Sequence, residues 1–139
     1  MTSTTPDYII PVTEHSRLKM SNIRVIDRPG NKEALALWYT VVLKGVREDS
    51  PDLSPRQMSI LLTIYIDPKP YTIQMLSTRL KISKPAVCRA IDMMERISFV
   101  ERKPDPRDKR KVFLGRTDPG YKYLGEFSET ILNNLAAIS

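Results

Sequence analysis

The sequence is poor in the residues that most often carry chemistry: one cysteine, Cys88, and one histidine, His15, in 139 residues. A single cysteine excludes an internal disulfide, and one cysteine with one histidine excludes a Cys/His metal cluster. No metal or other cofactor is expected. No apolar run approaches the roughly 20 residues needed to span a bilayer, and no charged-then-apolar segment opens the chain. No membrane partner and a cytoplasmic location are therefore expected. There is no carboxylate pair, nucleophile–base set or phosphate-cradling loop, and His15 has no neighbouring group that would make it catalytic. The chain does not read as an enzyme.

What is present is positive charge in one place. The net charge is +6, and between Arg79 and Lys111 there are 11 Lys/Arg against 5 Asp/Glu, which leaves 11 of each sign elsewhere. The whole excess lies in that stretch. A charge run is often just a solvated face. Here it coincides with a pattern that gives it a second use, the neutralisation of nucleic-acid phosphates with release of their counterions.

That pattern runs from Thr72 to Arg116. Ile73, Leu76 and Leu80 recur at helical spacing behind Thr72, a residue type suited to an N-cap. A turn follows at Lys81 and Ile82. Ser83 then caps a second helix, over about 83–97, with Pro85 in its first turn, where a missing N–H costs nothing. Val87, Ile91 and Met94 fall on one face, which predicts burial. Lys84, Pro85, Cys88, Arg89 and Asp92 fall on the other, a small polar surface suited to a major groove. Beyond Ser98 the period changes to that of strands at 99–103 and 111–115, joined by the charged tip 104–110. Two short helices followed by a charged hairpin make a winged helix-turn-helix.

These residues resemble the MarR family of transcription regulators. The likeness is carried by Ser83-Lys84-Pro85-Ala86-Val87-Cys88-Arg89, by the stretch Met94 to Arg102, by Asp105-Pro106-Arg107-Asp108-Lys109-Arg110 and by Thr117-Asp118-Pro119-Gly120. It extends upstream to about Leu35. The Asp-x-Arg-Asp-x-Arg tip is the most specific element. The resemblance implies a mainly α fold with a small β-hairpin wing, a dimer, and double-stranded DNA as partner, read as an inverted-repeat operator by a regulator of the repressor type. It also implies that Arg110 enters a minor groove, and it leaves open whether a small-molecule effector acts. Two positions depart from the family. Lys81 and Ser98 stand where glycine is usual, and a left-handed non-glycine residue costs about 1–2 kcal/mol.

Residue chemistry refines these roles. Arg89 can grip a guanine edge with two parallel hydrogen bonds, and its competing role is a phosphate clamp. Thr72, Ser83 and Lys84 are suited to holding the backbone, which positions without reading sequence. Asp108 can fix the Arg110 guanidinium while Arg107 and Lys109 meet flanking phosphates. A salt bridge between Asp105 and Arg110 inside the hairpin is the alternative. Cys88 is either a plain small side chain or, beside Arg89, a thiol whose oxidation blocks docking.

The remaining chain reads as scaffold. Residues 1–30, broken by Pro6, Pro11 and Pro29, form an N-terminal arm that either drapes over a domain or subunit through Tyr8 to Val12 and Ile23 to Ile26, or reaches a DNA groove with Arg17, Lys19, Arg24 and Arg28. The domain proper is 31–139, with its DNA-reading part at 54–116. Asn31 is expected to cap a helix running to about Asp49. In it Leu35, Trp38, Val42 and Leu43 form one stripe, while Tyr39, Val41 and Val46 widen the apolar surface. Ser54 and Pro55 start a buried helix carrying Met58, Leu61, Leu62 and Tyr65. Thr117 caps a last helix, about 118–138, whose Leu124, Phe127, Ile131, Leu135 and Ile138 make a narrow seam. One subunit has too little core to cover both outer helices, so they are expected to pair across a two-fold axis. The family pattern continues with a further long helix, so this pairing is expected to lean more on the arm. An architectural DNA-binding protein with weak sequence preference is the alternative function, and a winged helix used for protein contacts a third.

Overall fold

The computed structural model describes residues 22–136. The expectations placed on His15, Arg17, Lys19, Tyr8 to Val12 and Ile138 lie outside them. A 3-10 turn, Val25–Asp27, leads into α1 (Asn31–Arg47), α2 (Pro55–Ile66), α3 (Ile73–Leu80), α4 (Lys84–Arg96), the strands β1 (Val100–Pro104) and β2 (Val112–Arg116), and α5 (Asp118–Leu135). This is the mainly α fold with a hairpin wing.

Helix starts follow the local chemistry. Ser54 accepts from the Gln57 amide and the Gln57 side chain accepts from the Ser54 amide, a reciprocal cap, with Pro55 at the first position. Thr117 accepts from the Gly120 amide at 3.0 Å. Asn31 differs from expectation. The N-cap of α1 is Gly30 at φ 84°, a left-handed conformation that suits glycine, and the Asn31 side chain instead donates through Nδ2 to the Val25 carbonyl, tying the turn to the helix. The arm thus contributes a turn hydrogen-bonded to α1, with Arg24 paired to Asp27 at 2.9 Å, but Ile23, Val25 and Ile26 stay exposed rather than draped over the domain.

The core sits between the reading helices and the hairpin. Ile60 and Leu61 of α2, Leu76 of α3, and Val87, Ile91 and Met94 of α4 have no exposed surface. Each such side chain contributes about 1.5–3 kcal/mol relative to exposure. The buried face of α2 is Ile60, Leu61 and Ile64 rather than the expected Leu61 and Leu62. Leu62 turns outward and is exposed. Phe99, Tyr123 and Phe127 stack onward, with ring centroids 4.5 and 5.0 Å apart, joining the hairpin base to α5.

The strands begin one residue later than periodicity suggests. Ser98 takes φ 64° and the Phe99 amide donates to the Met94 carbonyl at 2.8 Å, so Phe99 is tied back to α4 rather than paired in the strand. The antiparallel register then runs from Val100↔Arg116 to Pro104↔Val112. Tyr71, just before α3, adds a bridge to Leu114 on the outer edge.

Candidate nucleic-acid interface

The helix pair is locked by its turn. Thr72 accepts from the Met75 amide at 3.2 Å and Ser83 from the Ala86 amide at 3.3 Å. Lys81 sits at φ 54°, which lets the Ile82 amide reach the Ser77 carbonyl, while the Ser77 hydroxyl donates to the Ile82 carbonyl at 2.6 Å. Lysine accepts the left-handed conformation usually given to glycine. On α4, Lys84, Pro85, Arg89 and Asp92 are exposed and Cys88 is half-buried, whereas Ala86, Val87, Ala90, Ile91 and Met94 are buried. The five outward residues share one surface beside the helix N-terminus.

The hairpin tip is built from a repeated local bond. Asp105 accepts from the Arg107 amide at 2.8 Å and Asp108 from the Arg110 amide at 3.0 Å. Each aspartate closes a turn two residues on, which holds the tip without a hydrophobic core. Asp108 also accepts from Arg110 Nε at 3.3 Å, and the Arg110 side chain remains 94% exposed. Asp105 is engaged by the backbone, so no Asp105–Arg110 ion pair forms among the described residues. Of the 11 cations in the basic stretch, four are paired: Arg79 with Asp67, Arg102 with Asp92 and Glu95, Lys103 with Glu101, and Arg110 with Asp108. The side chains of Arg89, Lys84, Arg107 and Lys109 have no ion partner among the described residues.

Sequence reasoning missed the supports beneath this surface. The Tyr65 hydroxyl donates to the Phe99 carbonyl at 2.7 Å and accepts from the Thr117 amide at 2.8 Å, pinning the end of α4 to the start of α5. Arg116 donates to the Ile64 and Asp67 carbonyls at 2.9 and 2.7 Å, closing the C-terminus of α2. Asp67 in turn accepts from the Tyr71 hydroxyl and the Lys69 amide, bonds that hold its carboxyl below the usual carboxylate value. Tyr65 and Arg116 appear in the sequence only as members of apolar and alternating patterns. Their reach across 34 to 52 residues leaves no local trace.

The outer helices leave apolar surface uncovered. On α1, Leu35, Trp38 and Val42 are 47%, 65% and 44% exposed, and only Val41 is buried. On α5 the seam divides. Leu124 and Phe127 pack partly on the protomer's own core, Ile131 is exposed, and Leu135 is half-buried. The inward face of α5 is instead Tyr123, Phe127 and Thr130, with Lys44 of α1 donating to Thr130 at 3.1 Å. A shallow cleft, with room for about 10 Å³, lies between α1 and α5, lined by Val41, Lys44, Glu48, Tyr123 and Glu126 among others. No group of acidic, histidine or cysteine side chains that could hold a metal occurs among the described residues. None of their helices is long and apolar enough to cross a membrane.

Comparison with known proteins agrees with this architecture. Residues 53–112 match the family model described as MarR family. The chain is 35% identical over 71 residues to the uncharacterized HTH-type transcriptional regulator YkoM of Bacillus subtilis, an overlap of 51% of this chain and 46% of that protein. The chain thus spans about half the length of this curated relative. The transcriptional regulator Tm0710 of Thermotoga maritima superposes with a TM-score of 0.62 at 26% identity, covering 77% of this chain and 75% of that one. A mutant of MepR from S. aureus, bound to an oligodeoxyribonucleotide, shares the fold with a TM-score of 0.63 at 20% identity, over 72% and 71% of the two chains. The matched segment contains α2, both reading helices and the charged hairpin tip, and over that segment the chain is similar to the MarR family.

Proposed function

We propose that this chain is a sequence-specific regulator of transcription, of the repressor type, that binds double-stranded DNA as a homodimer. The division is an arm at 1–30 and a winged helix-turn-helix domain at 31–139. In this reading α4 lies in the major groove and the hairpin tip in the flanking minor groove. Thr72, Ser83 and Lys84 hold phosphates, Pro85 and Cys88 shape the contact, and Arg89 reads a guanine. Arg110, steadied by Asp108, enters the minor groove between Arg107 and Lys109. Leu35, Trp38 and Val42 of α1 meet α5, at Ile131 and Leu135, across the two-fold axis.

The observation that carries this reading is the exposed Arg89, with no ion partner among the described residues, on a helix followed by a locked, charged tip. A structural arginine is neutralised by a neighbour; this one faces solvent where a duplex would dock. The test is competition binding. The wild-type protein is offered random-sequence duplexes, the recovered site is identified, and its affinity is compared with bulk DNA as salt rises. A specific reader keeps a ratio of about 10³ or more. An architectural protein loses all duplexes in parallel, and that outcome refutes the proposal.

A further inference from the structure

The recognition helix and the hairpin are joined by only three residues, Ile97 to Phe99, yet a DNA reader that uses both needs a fixed offset between them. A second link is present. Arg102, in the middle of β1, shares the face of Val100, which is buried against the core. Its guanidinium spans α4, with Nη2 on Asp92 Oδ1 at 2.6 Å and Nη1 on Glu95 Oε1 at 2.7 Å. The Arg102 backbone amide donates to the other Glu95 oxygen at 3.2 Å. Glu95 is therefore held by both the main chain and the side chain of one strand residue. Asp92 comes one turn after Arg89 on the recognition helix, so the brace closes at the edge of the outward surface.

Three bonds to two carboxylates exceed what charge neutralisation alone requires. A planar guanidinium presents its donors in a fixed fork, whereas an ammonium is a point charge on a flexible stem. The arrangement sets an angle as well as a balance of charge.

Building on the DNA-binding reading above, we propose that Arg102 is a positioning residue for duplex recognition, which fixes the hairpin tip relative to α4 so that the Arg89 and Arg110 contacts are made together. Without the brace the tip swings about the Ser98 turn, and whichever groove is engaged first leaves the other contact out of register. Arg102 itself touches no DNA. Its loss falls on discrimination between sequences more than on general attraction to phosphate.

The test uses the full chain and two probes, the duplex recovered by the wild-type protein and the bulk competitor poly(dI-dC). Arg102→Met is expected to weaken the recovered site by roughly 5- to 150-fold, the equivalent of one disabled bidentate base contact. Binding to poly(dI-dC) is expected to change less than about threefold, since no phosphate contact is removed. Arg102→Lys keeps the charge and loses the fork, and is expected to show the same loss of ratio. The paired variant Asp92→Asn with Glu95→Gln keeps the arginine, removes the repelling carboxylates, and is expected to lose ratio while bulk binding rises. Circular dichroism melts accompany each variant, and the paired variant carries the test if Arg102→Met does not fold. Full recovery by Arg102→Lys, or an unchanged ratio in the paired variant, overturns the positioning role and leaves the DNA-binding reading intact. Failure of the wild-type protein to prefer any duplex overturns both.

Discussion

Gly120 is the position where the smallest change should do the most damage. A Cβ placed there would lie 1.8 Å from the Tyr65 hydroxyl oxygen, 2.6 Å from its ring carbon and 2.8 Å from the Phe99 carbonyl oxygen. Neither obstacle is a flexible chain end: the ring is held in α2 and the carbonyl is backbone. Gly120→Ala must therefore expel the hydroxyl or push α5 away. Either movement orphans the Phe99 carbonyl and the Thr117 amide, which the hydroxyl serves at 2.7 and 2.8 Å. An unsatisfied buried group costs about 1–3 kcal/mol, so the two together cost about 2–6. Alanine recovers about 0.5–1 kcal/mol of helix preference. The net loss is about 1–5 kcal/mol, a fall in melting temperature of roughly 4–20 °C for a domain of this size. Urea and thermal melts followed by circular dichroism measure it. Tyr65→Phe removes the nearest atom, so the double variant should be less damaged than the two single losses added together, by about 1 kcal/mol or more. A Gly120→Ala protein melting within about 2 °C of wild type would refute the reasoning.

Four further outcomes are expected. Arg89→Ala should cost about 1–3 kcal/mol on the recovered duplex and relax the sequence preference at one base pair, read by binding to single-base variants of the site. Lys81→Gly should raise stability by about 1 kcal/mol by relieving the left-handed turn, and an unchanged urea midpoint would show that no strain is held there. Trp38→Glu with Val42→Asp, on the uncovered face of α1, should convert a dimer to monomers in sedimentation while leaving the far-ultraviolet spectrum of the domain in place. Asp67, whose carboxyl is lowered mainly by the Tyr71 hydroxyl and then by the Lys69 amide, stabilises the fold above its unfolded value and loses that contribution as pH falls through the folded one. The urea midpoint should drop below about pH 4 in wild type and drop less in Asp67→Asn.

Much of the reader was legible because its signals are local. Ser54, Thr72, Ser83 and Thr117 each cap the helix that follows, and Val87, Ile91 and Met94 repeat on a helical period that burial obeys. Turn residues were harder. Asn31 has the chemistry of a cap but Gly30 has the left-handed geometry, and backbone conformation prevailed over side-chain type. The strand starts were misplaced by one because Phe99 alternates like a strand residue while its amide is claimed by α4. The outer seam was read from α5 alone, and the aromatic stack of Phe99, Tyr123 and Phe127 drew part of it inward. Tyr65, Arg102 and Arg116 were not legible, since their partners are set by the tertiary arrangement.

The shared hydroxyl at the hairpin base makes the two ends of the molecule mechanically dependent. One oxygen is bonded at once to the Phe99 carbonyl, just past the groove-facing helix, and to the amide of Thr117, which caps the helix that carries exposed Ile131 and Leu132. A displacement of that outer helix meets a direct polar link to the hairpin base rather than a free loop.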